Sequence, residues 1–332
     1  MGLNPEPLVI WAVSDGRSGI ENQAVGLAEA VARLSPELLG RPAEVVVKRI
    51  AWKGRLGRLP SILKLFPRRM LDPSSDIAAP WPDVWIAAGR ATLALSMRMR
   101  RWSRKKALVV QIQDPHLPPG LFDLVLPPQH DRVTGDNVVS LIGSPHRITP
   151  ERLLAERARF ADKLDPLPGP VAAVLIGGKS KAFDLTPVRA AAVAREIELG
   201  LVEAGASLLM TFSRRTPEAA KAMLTSRLSG RPGWIWDGSG ENPYFAFLAA
   251  ADWILVTEDS INMAAEAAST GKPVFILKLD GQSLRIRRFH ESLEAMGAAR
   301  PFGGGFHGWS YTPLNETERA AREVLARLQA RD

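Results

Sequence analysis

The stretch Ala251 to Leu277, ADWILVTEDSINMAAEAASTGKPVFIL, leaves the chain few folds to choose from. Trp253 to Val256 is an apolar run rich in β-formers and too short for a helix, which predicts a buried strand. Thr257-Glu258-Asp259-Ser260 supplies N-cap residues, and Ile261 to Ser269 has helix composition. Gly271 suits the left-handed residue that closes a helix, and Pro273 to Leu277 restarts as a second buried strand. Such units build open α/β sheets, which bind ligands at the carboxyl ends of their strands. A helix start at that end presents unpaired N–H groups and a partial positive charge, a seat for phosphate. An ordinary crossover with a capped helix has the same pattern. Glu266 adds to it: set among alanines, its carboxylate can accept two hydrogen bonds from a ribose diol.

The rest of the chain alternates in the same way. Strands are expected at Leu8–Val13, Glu44–Ile50, Asp83–Ala88, Ala107–Ile112, Phe122–Leu126, Val171–Ile176, Ser207–Thr211 and Trp234–Trp236. Helices are expected at Glu21–Arg33, Pro150–Leu164, Val188–Ala204 and Phe245–Ala251, with a charged amphipathic tail helix from Glu316. Asp165 to Pro170 reads as a linker. The expected fold is therefore α/β, two Rossmann-like domains facing a central cleft, covering 1–165 and 166–315.

The loops after these strands carry the chemistry. Ser14-Asp15-Gly16-Arg17-Ser18-Gly19 makes a glycine-bearing turn between strand and helix. Its spacing is neither a Walker loop nor a dinucleotide fingerprint, and its glycines serve a bare turn equally well. Gly16 and Ser18 are candidate substrate contacts, Asp15 is the preferred general base and Glu21 the second choice. Gln113, Asp114 and His130 fall where further strands end and should line the same rim. His116 and His130 lack zinc-site spacing and read as hydrogen-bonding loop residues. In the second half, Gly178, Lys179, Ser180, Arg214, Arg215 and the helix start at Ser260 converge as a diphosphate site. Glu258, Asp259, Asn262 and Met263 flank that start as further substrate contacts. No Asp-x-Asp motif stands in a suitable place, so no metal site is assigned.

Composition narrows the class. Hydrophobic residues make up 46% and charged residues 23%, as in globular proteins. Without cysteine there is no disulfide or thiolate nucleophile, which fits a reducing compartment. No apolar run reaches bilayer-spanning length, and Met1 to Pro7 lacks the basic flank and cleavage site of a secretory leader, so a cytoplasmic location is the default. The net charge of +8 suits phosphorylated substrates or anionic lipid. Nucleic acid is not expected, for lack of a zinc-finger, RNP or helix-turn-helix signature. Trp52 to Met70 mixes bulky apolar residues with six basic ones and has no acid. It reads as two short pieces at an anionic membrane surface, or as a solvated helix, and Arg98 to Lys106 could extend the same face.

Two resemblances add to this reading. The Ser260 helix start, Met263-Ala-Ala-Glu266-Ala and Gly271-Lys-Pro-Val274 resemble the donor-nucleotide motif of GT-B glycosyltransferases, including transferases of lipopolysaccharide and peptidoglycan synthesis. That resemblance implies a metal-independent transfer of sugar from a nucleotide-diphosphate sugar, a donor substrate rather than a cofactor, to a lipid or cell-envelope acceptor. It implies work at the inner face of the cytoplasmic membrane, and a last helix, 316–332, that crosses back onto the first domain. Ser14 to Gln23, Gln113-Asp-Pro115, Pro128-Gln-His-Asp131, Gly177-Gly-Lys179 and Thr257 to Met263 resemble the elongated-mitochondria family, named for a plant mitochondrial-fission factor. The alternative is then a non-catalytic peripheral membrane adaptor that keeps the fold.

Overall fold

A computed structural model describes residues 6–331. Met1 to Pro5, most of the segment read for a leader, lie outside the described residues. The chain divides into two compact units, Met1–Arg147 together with Asn315–Asp332, and Ile148–Leu314.

The first unit is built on five parallel strands, β1 (Leu8–Ser14), β2 (Ala43–Arg49), β3 (Val84–Ala88), β4 (Leu108–Ile112) and β5 (Leu124–Leu126). They lie in the order β2-β1-β3-β4-β5. Along β1 the side chains alternate between the two faces, as strand geometry requires. Leu8, Ile10 and Ala12 pack with α1 (Ser18–Leu39) and the C-terminal helix Glu316–Gln329. Trp11 and Val13 pack on the other side with Trp85, Leu95 and Met99. Helix α1 runs past the expected Arg33 and closes on a left-handed Gly40. The Trp52–Met70 segment forms three short pieces rather than two, 3₁₀ turns at Gly54–Arg58 and Ser61–Leu63 and α2 (Pro67–Met70). Helix α3 (Leu93–Trp102) follows β3 after a 3₁₀ turn.

The second unit has six parallel strands: β6 (Val171–Ile176), β8 (Ser207–Phe212), β9 (Gly233–Ile235), β10 (Trp253–Thr257), β11 (Val274–Leu277) and β13 (Ala299–Pro301). Their order is β13-β11-β10-β6-β8-β9. A two-strand ladder, β7 (Phe183–Asp184) with β12 (Asp280–Gly281), ties two of the loops. The helices are α4 (Pro150–Arg159), α5 (Ala161–Leu164), α6 (Pro187–Ala204), α7 (Glu218–Leu228), α8 (Tyr244–Ala250), α9 (Ile261–Ala268) and α10 (Leu284–Ala295). One face of the sheet buries Ala172, Val174 and Ile176 under Val193, Ile197 and Leu201 of α6 and Leu224 of α7.

The expected domain boundary shifts. Helix α4 packs on α8, so the chain enters the second unit at Ile148, ahead of the Pro-rich segment taken for a linker. That segment joins α5 to β6 inside the second unit.

Candidate functional site

Both sheets have a switch point, where neighbouring strands send their following connections to opposite faces and leave a crevice at their carboxyl ends. In the second unit it lies between β6 and β10, because the chain proceeds from β6 to β8 and β9 on one side and returns to β10 and β11 on the other. The loops that meet there are Gly177-Gly178-Lys179 and Thr257-Glu258-Asp259-Ser260.

These loops are joined by a buried carboxylate. The Gly177 N–H donates to Thr257 Oγ1 at 2.7 Å, and that hydroxyl donates to Asp259 Oδ1 at 2.8 Å. Asp259 Oδ2 accepts from the Gly178 N–H at 3.1 Å and pairs with an Arg215 Nη1 at 2.8 Å. Glycine is required at both loop positions. A Cβ on residue 177 would stand 2.2 Å from Asp259 Oδ1, and one on residue 178, at φ +148°, 2.6 Å from the Arg215 carbonyl. Asp259 therefore braces three loops, and it commits part of Arg215 to that task. Glu258 is likewise turned inward: its carboxylate accepts from the Leu279 N–H at 2.6 Å and from Lys278 Nζ at 3.1 Å. A loop carboxylate reads as available in a sequence; here the nearest unpaired donors claim both.

What the brace leaves is cationic. Lys179 and Arg214 are exposed, and the Lys179 ammonium is 3.8 Å from Asp184. Ser180 Oγ accepts from Ala182 and Phe183 N–H groups and shapes its own turn. Ser260 Oγ caps α9, accepting from the Met263 N–H, with Asn262 and Met263 half-buried in the first turn.

Glu266 sits one turn further along α9 and is buried, not open as its alanine neighbours suggested. The Tyr244 hydroxyl, at the start of α8, donates to Glu266 Oε2 at 2.5 Å. Burial raises the Glu266 carboxyl to about 7, with the Tyr244 hydrogen bond opposing the shift. The chain has two tyrosines, and both grip α9: the Tyr311 hydroxyl lies 3.1 Å from the Ala268 carbonyl and 2.8 Å from that of Lys272. Lys272 itself turns inward, donating to the last carbonyls of α8, Leu248 O and Ala249 O. The pairing of Tyr244 with a residue on another helix leaves no local signal in the sequence.

Beside the brace a hollow of about 690 Å³ is lined by Glu258, Lys278, Gln282, Arg287 and His290, among others. None of the last four was picked out from the sequence. His290 is buried, its Nε2 lies 2.8 Å from the Glu258 carbonyl, and desolvation pushes its pKa down.

In the first unit the switch point lies between β1 and β3, which places Ser14 to Arg17 at its mouth. Asp15 accepts from the Arg17 N–H and pairs with its guanidinium at 2.8 Å. Gly16 and Ser18 are exposed at the same turn. Glu21 falls in the first turn of α1, where Arg49 grips it through two bonds, at 2.6 and 2.9 Å. That contact holds its pKa below the usual carboxylate range, which weakens it as a base. Gln113, at the end of β4 with φ +73°, donates to Gln23 of α1 at 3.0 Å. Asp114 binds the His116 backbone and ring, and His130 is buried beside Asp131 rather than lining an open rim. Among the described residues no group of three or more His, Cys, Asp or Glu is placed to hold a metal ion. No described helix is long and apolar enough to cross a membrane.

Two Rossmann-like units, each with an open parallel sheet and candidate residues at its switch point, define the GT-B class of fold. Solved structures agree. The UDP-GlcNAc 2-epimerase of Methanocaldococcus jannaschii matches with a TM-score of 0.57 and 13% identity, over 98% of this chain and 100% of the other. A variant of Os79 from O. sativa in complex with UDP matches with a TM-score of 0.51 and 15% identity, over 97% and 92%. Within that fold, residues 18–328 match the model of the family described as Mitochondrial fission ELM1, and the chain belongs to that family. The Mitochondrial fission protein ELM1 of Arabidopsis thaliana is 31% identical, and the match covers 75% of this chain and 65% of the plant protein. A protein of Rickettsia prowazekii is 28% identical over 95% of this chain and 97% of its own length.

Proposed function

We propose that the protein is a metal-independent GT-B-type glycosyltransferase, which moves a sugar from a nucleotide-diphosphate sugar to a lipid or cell-envelope acceptor. It meets that acceptor by peripheral contact with the inner face of the cytoplasmic membrane. The observation that carries the reading is the position of Glu266 on a capped helix at the switch point of the second sheet, with Tyr244 engaging only one carboxylate oxygen. A ribose diol would donate to Glu266, and the α9 start with Lys179, Ser180, Arg214 and the outer face of Arg215 would take the diphosphate. The neighbouring hollow falls within the roughly 300–1,000 Å³ of small-molecule sites and would hold the sugar. Asp15 is the base for the acceptor hydroxyl: both carboxylates meet an arginine, but the Arg17 partner of Asp15 belongs to the same exposed turn, whereas the Arg49 pairing lowers the pKa of Glu21.

Calorimetry against a panel of nucleoside diphosphates and their sugars tests the donor site. One member of the panel should bind, and Glu266→Ala should weaken it by about 1.5–3 kcal/mol, the worth of a charged hydrogen bond. No binding by any member removes the transferase reading. A second reading, a non-catalytic peripheral membrane adaptor, is favoured by kinship with a plant protein named for mitochondrial fission and by the ion pairs that occupy Glu21 and Asp15. It predicts membrane contact without nucleotide binding.

A further inference from the structure

Trp52 and Leu71 pair as an isolated antiparallel bridge and close the chain between them into a loop. Its base is pinned: Trp52 Nε1 donates to the Ala91 carbonyl at 3.2 Å, and Lys53 Nζ to the Arg69 carbonyl at 3.0 Å. The inward position goes to a cation. Lys64 is buried, lies over the Trp52 ring at 4.7 Å, and donates to the Leu59 carbonyl at 2.5 Å. Its apolar neighbours Ile62, Leu63, Leu65 and Phe66 point outward, each between 57% and 66% exposed. Burying one lysine costs desolvation, while exposing four large apolar side chains forgoes burial. The loop thus inverts the usual arrangement, and contiguous apolar exposure of this kind marks a surface that meets something apolar.

The rim says what. Below Leu65 and Phe66 a groove of about 570 Å³ is lined by Arg68, Arg69, Arg98 and Arg101 with Ser75 and Trp102. Arg68 is set by stacking, its guanidinium 5.3 Å from the Trp81 ring and 5.7 Å from the Trp102 ring, which themselves stack at 5.7 Å. From Trp52 to Leu71, and again from Arg98 to Lys106, there is no acidic residue. An apolar tip beside an acid-free arginine groove is complementary to one kind of surface, hydrocarbon roofed by phosphate.

We propose that this loop docks on an anionic phospholipid bilayer, with Ile62, Leu63, Leu65 and Phe66 entering the acyl boundary and the four-arginine groove seating a lipid phosphate. The proposal deepens the peripheral contact of the preceding reading by naming its surface and its lipid chemistry. It rests on groups that take no part in the donor site, so each can fail alone.

The test is co-sedimentation of the full chain with vesicles of phosphatidylcholine alone and with vesicles of phosphatidylcholine mixed with anionic phosphatidylglycerol. Binding should be at least tenfold stronger to the anionic vesicles and should fall as salt rises. Phe66→Asp and the double variant Arg98→Gln/Arg101→Gln should each reduce it at least fivefold. Val188→Asp, which matches the charge change of Phe66→Asp at an exposed apolar residue of the second unit, should not. A melting curve within a few degrees of the parent shows that each variant is folded; if Phe66→Asp does not fold, the double arginine variant decides. Equal binding to both vesicles, binding that Phe66→Asp leaves intact, or displacement by millimolar glycerol phosphate overturns the proposal. So does a dimer in vesicle-free solution that Phe66→Asp dissolves, since a second copy would then be the occupant.

Discussion

Glu266 ties stability to pH. Its carboxyl titrates near 7 in the folded chain and near the ordinary 4.5 when unfolded. Below both values the proton is present in either state. Between them the unfolded chain releases it first, so stability falls as pH rises through this window and levels off above about 7. Glu266→Gln keeps the shape and a partner for the Tyr244 hydroxyl but cannot ionise. It should flatten that fall and make the second unit more stable at pH 8, by up to about 3 kcal/mol, as read by urea melts across pH 5–8. Nucleotide affinity should move the opposite way, tightening from pH 6 to 8 in the parent and staying flat and weak in the variant. Parallel pH profiles for the two proteins would take Glu266 out of the ribose role. Asp15 is tested by Asp15→Asn, which retains size and much of its turn-capping capacity. A base role for Asp15 predicts that turnover drops at least a hundredfold with affinity and melting unchanged. Near-normal turnover would leave the residue as a cap for the turn beside Gly16.

At the scale of elements, the three-loop brace behaves as one object. Gly177→Ala would thrust a methyl into the Asp259 carboxylate, and Gly178→Ala one into the Arg215 backbone. Each should destabilise the second unit by about 1–3 kcal/mol and lower nucleotide affinity, because the loops would separate. Thermal melts and calorimetry on the same samples check this, and unaltered melting would mean the loops are not coupled. Most of the elements were marked in the sequence, while α7, α10 and β13 were not expected from it. Short apolar runs located the main strands, and Ser260, Gly271 and Pro273 bounded α9 and β11, because those signals are local. The brace was not legible. Asp259 finds Arg215 across forty-four positions, and Glu21 finds Arg49 across twenty-eight, by strand order and not by sequence pattern. The domain boundary was misplaced for a related reason: proline enrichment marks a bend, and whether a bend separates cores depends on what the preceding helix packs against, here α8.

In the whole molecule, the C-terminal helix completes the first unit. Ala320, Ala321, Val324, Leu325 and Leu328 join the core formed by β1 and α1. Leu325→Ala should cost about 2–5 kcal/mol and lower the melting of the first unit, while nucleotide binding by the second persists. Loss of both together would show that the two units unfold as one. Differential scanning calorimetry separates these outcomes. The same helix also bears on synthesis. The chain leaves the first unit after Arg147 and returns only at Asn315, so the second unit is inserted into the first. A ribosome delivers residues in order, and domains generally fold as they emerge. The inserted unit therefore has all its residues in hand while the unit begun earlier still lacks its closing helix. Until that helix clears the exit tunnel, one face of the earlier sheet stays partly uncovered and available to chaperones. Of the two units, the one begun first is the last to be finished.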